Sequence, residues 1–225
     1  MGLSNYLPSS RLIQPGVCTS TTRPASPFEG QVIYETDTNL SYFYDGSAWQ
    51  LYGQQIAGKH QLTSAASSLS VTLPSTITNG YNLRIVASVR HNSSVSIDLG
   101  LRFNSDSGTN YDRQYLIAYD TTVAGGVSNN DSSVLVSTVG NNSANRFTSV
   151  AIDVPNFQAA YHKTVVSSSL DPRNMTSGSG ASAALWLSVG GVWRSTSAVT
   201  SVQLVPASGN LATDSRMTVY VTGLG

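Results

Sequence analysis

The sequence predicts an all-β fold: an antiparallel β-sandwich or jelly roll, preceded by an extended N-terminal arm and a small β-meander. Three observations carry this expectation. Apolar and polar residues alternate with a period of two, most clearly from Val95 to Phe103, where every odd position is apolar and every even one is polar or glycine. Short runs of this kind recur along the chain between clusters of Gly, Asn, Pro and Ser. Strong helix formers are scarce, since Lys59, Lys163, Glu29 and Glu35 are the only lysines and glutamates, while Val, Thr, Tyr and Ser abound.

Residues 1–26 read as the arm. Pro8, Pro15, Gly16 and Pro24 break any period, and Leu3, Tyr6, Leu12, Ile13 and Val17 need a surface to lie on. Residues 27–53 read as a three-stranded meander for docking, with strands at Gly30 to Thr36, Leu40 to Tyr44 and Ala48 to Tyr52. Asp37-Thr38-Asn39 and Asp45-Gly46-Ser47 supply the turns. Such a unit is too small to be stable alone, so Tyr34, Tyr42, Phe43, Tyr44, Trp49 and Tyr52 call for a partner surface.

Residues 54–68 are small and polar and read as a linker. Residues 69–225 hold the sandwich. Its first strand, Leu69 to Leu73, stops at Pro74. Tyr81 to Arg90 and Val95 to Phe103, joined by His91-Asn92-Ser93-Ser94, are expected to pair as antiparallel neighbours. Further strands are expected at Tyr111 to Tyr119, Ser132 to Val139, Arg146 to Val154, His162 to Ser167, Ser182 to Val189, Ala198 to Val205 and Arg216 to Val221. The separators include Gly125-Gly126, Gly140-Asn141-Asn142 and Gly190-Gly191. No window predicts a helix.

Composition narrows the function. The 225 residues suffice for one large β domain, and only 11% are charged, against ~25% in a typical soluble domain. Formal net charge is zero and the arginines are scattered, so no basic face for nucleic acid is expected. No run reaches the ~18 apolar residues of a membrane span, and Met1 to Pro8 lacks the features of a secretory signal. Cys18 is the only cysteine, which excludes an intrachain disulfide and points to synthesis in a reducing cytosol.

Candidate chemistry is sparse, and neither an enzyme nor a cofactor is expected. His60, His91 and His162 lie far apart and lack partners at metal-ligand spacing. Asn104, Asp106, Asn110 and Asp112 alternate with small residues and could offer oxygens to calcium. Tyr115 stands where an EF-hand needs its acid, so a polar turn is the competing reading. No Gly-x-Ser-x-Gly elbow is present, and Gly178-Ser179-Gly180 precedes no phosphate-binding lysine. Asp98, Asp106, Asp112 and Asp153 are candidate acids for sugar cleavage only because aspartate is common. Trp186 falls opposite Leu185 and Leu187 in the alternation, and with Trp193 it flanks Gly190-Gly191. Both tryptophans are candidates for an interface or ligand face, with subunit interface the favoured reading.

Two stretches resemble a known family. Thr22 to Thr38, continuing through Tyr44-Asp45-Gly46-Ser47-Ala48-Trp49, resembles a module of the form RPxxPxxGQxIYxTDT…DGSAW found in structural proteins of tailed bacteriophages. Leu101 to Asp112, with Lys163-Thr164, Trp193 and Met217 to Tyr220, is similar to a β-sandwich domain of phage tail, fibre and head-surface proteins. The end of the chain departs from that pattern, reading Asp214-Ser215 and Val219-Tyr220-Val221. The resemblance implies a virion location after assembly in a host cytoplasm, other virion proteins as partners, and a homotrimer. It places Arg23, Tyr34, Tyr42, Tyr44 and Trp49 in the docking module. A tail-associated fibre or minor tail protein that contacts a host surface glycan is the first expectation. A capsid decoration protein is the alternative, and a polysaccharide depolymerase a third.

Overall fold

The computed structural model describes residues 15–75, 77, 81–93, 96–119, 122–140, 146–172 and 184–223. The first part of the expected arm, with Leu3, Tyr6, Leu12 and Ile13, lies outside the described residues, as do Ser94, Val95 and Gly178 to Gly180. The chain divides into two compact units between Gln55 and Ile56. All described regular structure is β, as the alternation predicts.

The N-terminal unit is a four-stranded sheet in the order β1-β2-β3-β4, with β1 at Gly16–Cys18, β2 at Val32–Glu35, β3 at Leu40–Tyr44 and β4 at Trp49–Leu51. The last three form the expected antiparallel meander. β1 is the addition: part of the expected arm lies parallel to β2. The turn chemistry is visible atom by atom. Asp45 Oδ1 accepts the Ser47 and Ala48 amides at 2.8 and 2.7 Å, and Gly46 takes φ +95°. These donors hold the Asp45 carboxyl below the usual carboxylate range. Ile33, Leu40, Tyr42 and Leu51 are the buried apolar residues of this unit.

In the C-terminal unit the strands run β5 Gln54–Gln61, β6 Leu69–Thr72, β7 Tyr81–Val89, β8 Ile97–Phe103, β9 Tyr111–Tyr119 and β10 Thr122–Asp131. They continue with β11 Val134–Val139, β12 Thr148–Val154, β13 Lys163–Asp171, β14 Leu185–Trp193, β15 Ser201–Pro206 and β16 Arg216–Gly223. Eight form one sheet in the order β10-β9-β14-β13-β12-β7-β16-β5, and four form the other in the order β11-β8-β15-β6. Their inner faces supply the core: Leu83, Ile85, Ile152, Leu187 and Val219 from the large sheet, Leu99, Leu101, Phe103, Val136 and Leu204 from the small one.

Several expectations need correction. β7 and β8 are not paired. β7 lies between β12 and β16 in the large sheet, whereas β8 lies between β11 and β15 in the small one. Both strands alternate because each turns one face inward, and that signal is identical for neighbours in a sheet and for strands in facing sheets. The expected linker contains β5. The glycine pairs Gly125-Gly126 and Gly190-Gly191 lie inside β10 and β14 rather than between strands. Gly191 faces inward, where any side chain would collide with Val134 of the opposite sheet. Glycine there permits a close approach between sheets.

Candidate interaction face on the large sheet

Strand register assembles this face. Trp186 of β14 stands opposite Ala118 of β9 and Leu170 of β13, and Ala118 stands opposite Val123 of β10. One ladder therefore carries Val123, Ala118, Trp186 and Leu170 across four strands. The next ladder carries Gly125, Leu116, Ser188 and Ser168, reaching Ala151 and Val86 on β12 and β7. A third carries Val127, Gln114, Gly190 and Val166. Across β10, β9, β14 and β13 these three ladders contain no charged side chain. The first charges in the third ladder are Asp153 and Arg84, paired at 3.6 Å on β12 and β7.

Seven large apolar side chains on this face are substantially exposed, from Val86 at 40% to Val123 at 72%, with Trp186 at 45%. A contiguous apolar patch on an outer sheet face is a feature of interaction surfaces, because monomeric domains rarely leave one open. The Trp186 indole N–H donates to Ser168 Oγ at 3.2 Å, tying the ring across β13. Further along the same face of β14, beyond Ser188, Gly190 leaves open space where a side chain would stand. The face runs to the edge of the sheet, since β10 is the terminal strand. An edge strand with Val123 and Val127 exposed and its charge confined to Asp131 lacks the usual protection against pairing with another chain.

Trp193 is corrected out of this face. It is buried, and points into the core from the opposite side of β14. Its ring lies 5.3 Å from Phe103 and 6.3 Å from Tyr111, and the Lys163 ammonium sits 5.9 Å from it. Its indole N–H donates to Asp106 Oδ2 at 2.7 Å. Lys163, fully buried, donates to the Ala159 and Tyr161 carbonyls at 2.8 and 2.5 Å. Phe103, Asp106, Tyr111, Lys163 and Trp193 thus meet in one packing cluster, whereas Met217 to Tyr220 lies apart from it on β16.

Donors of the chain itself face the calcium candidates. Asp106 also accepts the Gly108 amide and the Asn110 side-chain amide. Asn104 Oδ1 accepts the Thr200 and Ser201 amides at 2.8 and 3.2 Å, while its Nδ2 donates to Ala198 O. Asp112 accepts the Asn130 amide at 3.0 Å and pairs with Arg194 at 3.4 Å. These oxygens serve separate donors of the chain. Among the described residues no group of three or more His, Cys, Asp or Glu side chains is placed to hold a metal ion.

In the N-terminal unit, Arg23 pairs through Nε with the fully buried Glu35 and lies 4.4 Å over the ring of buried Tyr42. The half-buried Arg23 and the buried Tyr42 thus support the interior of this unit. Thr36 and Asp37 hold the preceding segment: the Thr36 amide donates to Cys18 O at 3.0 Å, and Asp37 accepts the Ser20 amide at 2.9 Å and its hydroxyl at 2.6 Å. Tyr34 O–H donates to Asn39, and the half-buried Tyr44 and Trp49 rings pack 5.4 Å apart. Among the described residues here, the exposed large apolar groups are Val17, Phe28 and Tyr52.

No family model matches the chain, and no curated protein matches it.

Proposed function

We propose that the chain is a structural protein of a tailed-bacteriophage virion, a tail-associated fibre or minor tail protein displayed on the particle surface. In this reading it assembles as a homotrimer through the outer face of the large sheet. The observation that carries the reading is that uncharged apolar face, which spans four strands and ends on an open edge strand. Further support comes from the resemblance of Thr22 to Trp49 to a virion module, whose residues build a separate compact unit ahead of the sandwich. Self-association fits the face because it is apolar, is open at Gly190 and has no charge across β10, β9, β14 and β13 to repel a second copy.

Two measurements test the reading. Mass spectrometry of separated heads and tails is expected to find the chain with the tails, in a multiple of three copies. Recovery with the heads would overturn the tail assignment in favour of capsid decoration. Light scattering on the full chain is expected to give a trimer that Trp186→Asp reduces to monomer. A wild-type monomer, or a trimer indifferent to Trp186→Asp, would overturn the assembly face.

A further inference from the structure

A second site lies where β8 of the small sheet meets β9 and β10 of the large one, and its lining shares no residue with the apolar face. A cleft of about 240 Å³ opens where the outer face of β8 meets the turn between β10 and β11. Its polar lining is Asp98, Arg102, Arg113, Asp131, Ser132 and Ser133. Leu135, Val205 and Pro206 add an apolar wall.

The sequence builds this cleft deliberately. Asp98, Gly100 and Arg102 occupy the outward phase of β8, whose inward phase is Leu99, Leu101 and Phe103. Gly100 forms the floor, and any side chain there would collide with Ser133. Arg102 is held by its Nε to Ser132 O at 2.9 Å and by Nη2 to Ser132 Oγ at 3.3 Å. Arg113 pairs with Asp131 at 3.3 Å, and Asp131 also accepts the Ser128 hydroxyl at 3.0 Å. By contrast, the exposed Asp98 carboxylate has no hydrogen-bond or ion-pair partner among the described residues.

We infer that this cleft binds one ring of a neutral saccharide. The lining holds two guanidinium groups and two carboxylates, so it carries no net formal charge. An anionic ligand would meet Asp98 and Asp131, and a cationic one Arg102 and Arg113. Sugar hydroxyls both donate and accept, which suits a lining of carboxylates, guanidinium groups and hydroxyls. The C–H face of the ring has its counterpart in Leu135, Val205 and Pro206. The volume lies below the ~300–1,000 Å³ of sites for drug-sized molecules, and matches a single ring rather than a chain. Asp98 is the free acceptor and fixes the hydroxyl pattern that is recognised. The inference does not depend on where in a particle the protein sits.

The test is a titration of the full, isotope-labelled chain, followed by amide chemical shifts. The probes are glucose, galactose, N-acetylglucosamine, glucuronate and inorganic phosphate. At least one neutral sugar is expected to shift Gly100, Ser132 and Ser133, with glucuronate and phosphate weaker. Asp98→Ala and the isosteric Asp98→Asn are each expected to weaken that sugar about tenfold, the loss of one hydrogen bond to a charged group, at unchanged melting temperature. Trp186→Asp is expected to leave sugar affinity unchanged. Failure of every neutral sugar to shift these amides would overturn the inference. So would tighter binding of phosphate or glucuronate, or full affinity in both Asp98 variants.

Discussion

At the residue scale, Asp106 shows how one side chain organises a loop. It gathers the Trp193 indole, the Asn110 amide and the Gly108 backbone into one turn that closes the end of β8. Burial pushes its carboxyl up, but these donors and the charge of Arg102 outweigh burial and hold it below the usual range. A carboxyl with a depressed folded pKa stabilises fully above its unfolded value of about 4, and loses that contribution as pH falls through the folded value. Asp106→Asn is therefore expected to cost about 1 kcal/mol near neutrality. Its deficit relative to wild type should shrink in acid, as urea unfolding at about pH 7 and about pH 3 will show. A deficit that stays constant with pH would remove Asp106 from the acid response.

At the scale of elements, adjacent glycines make opposite predictions. Gly190 faces open space and Gly191 faces Val134, and neither takes positive φ, so space alone separates them. Gly190→Ala should change stability little, whereas Gly191→Ala should cost about 1–3 kcal/mol by forcing β14 and β11 apart. Equal denaturation midpoints for the two variants would contradict the tight approach. The same pair shows what the sequence could reveal. Strands with one buried face, such as β7, β8 and β12, are legible because burial writes a period of two. β5 and β10 are not, since polar residues and glycine there carry no such period, and their pairing is imposed by β16 and β9. Sheet membership was equally hidden, because inward-facing strands of opposite sheets carry the same pattern. Of the interaction face, Trp186 was visible as an apolar residue on the polar phase. Leu116, Val123, Val127, Val166 and Leu170 were not, for their meaning depends on which strands lie side by side. Trp193 obeys the inward phase of its strand, but the glycine pair before it hid that the strand continued.

At the scale of the whole molecule, a zero formal charge and a low charged fraction leave little electrostatic repulsion between copies. In the proposed trimer the apolar face would set the terms of association, and the charged pair Arg84 and Asp153 bounds that face in its third ladder. The three tryptophans occupy three different surroundings: Trp193 is enclosed, Trp49 half-covered and Trp186 open to water. The proposed assembly consequently has a built-in optical gauge. Diluting the assembled protein should red-shift its emission and raise quenching by iodide through Trp186 alone, while the Trp186→Phe form stays spectrally silent over the same range.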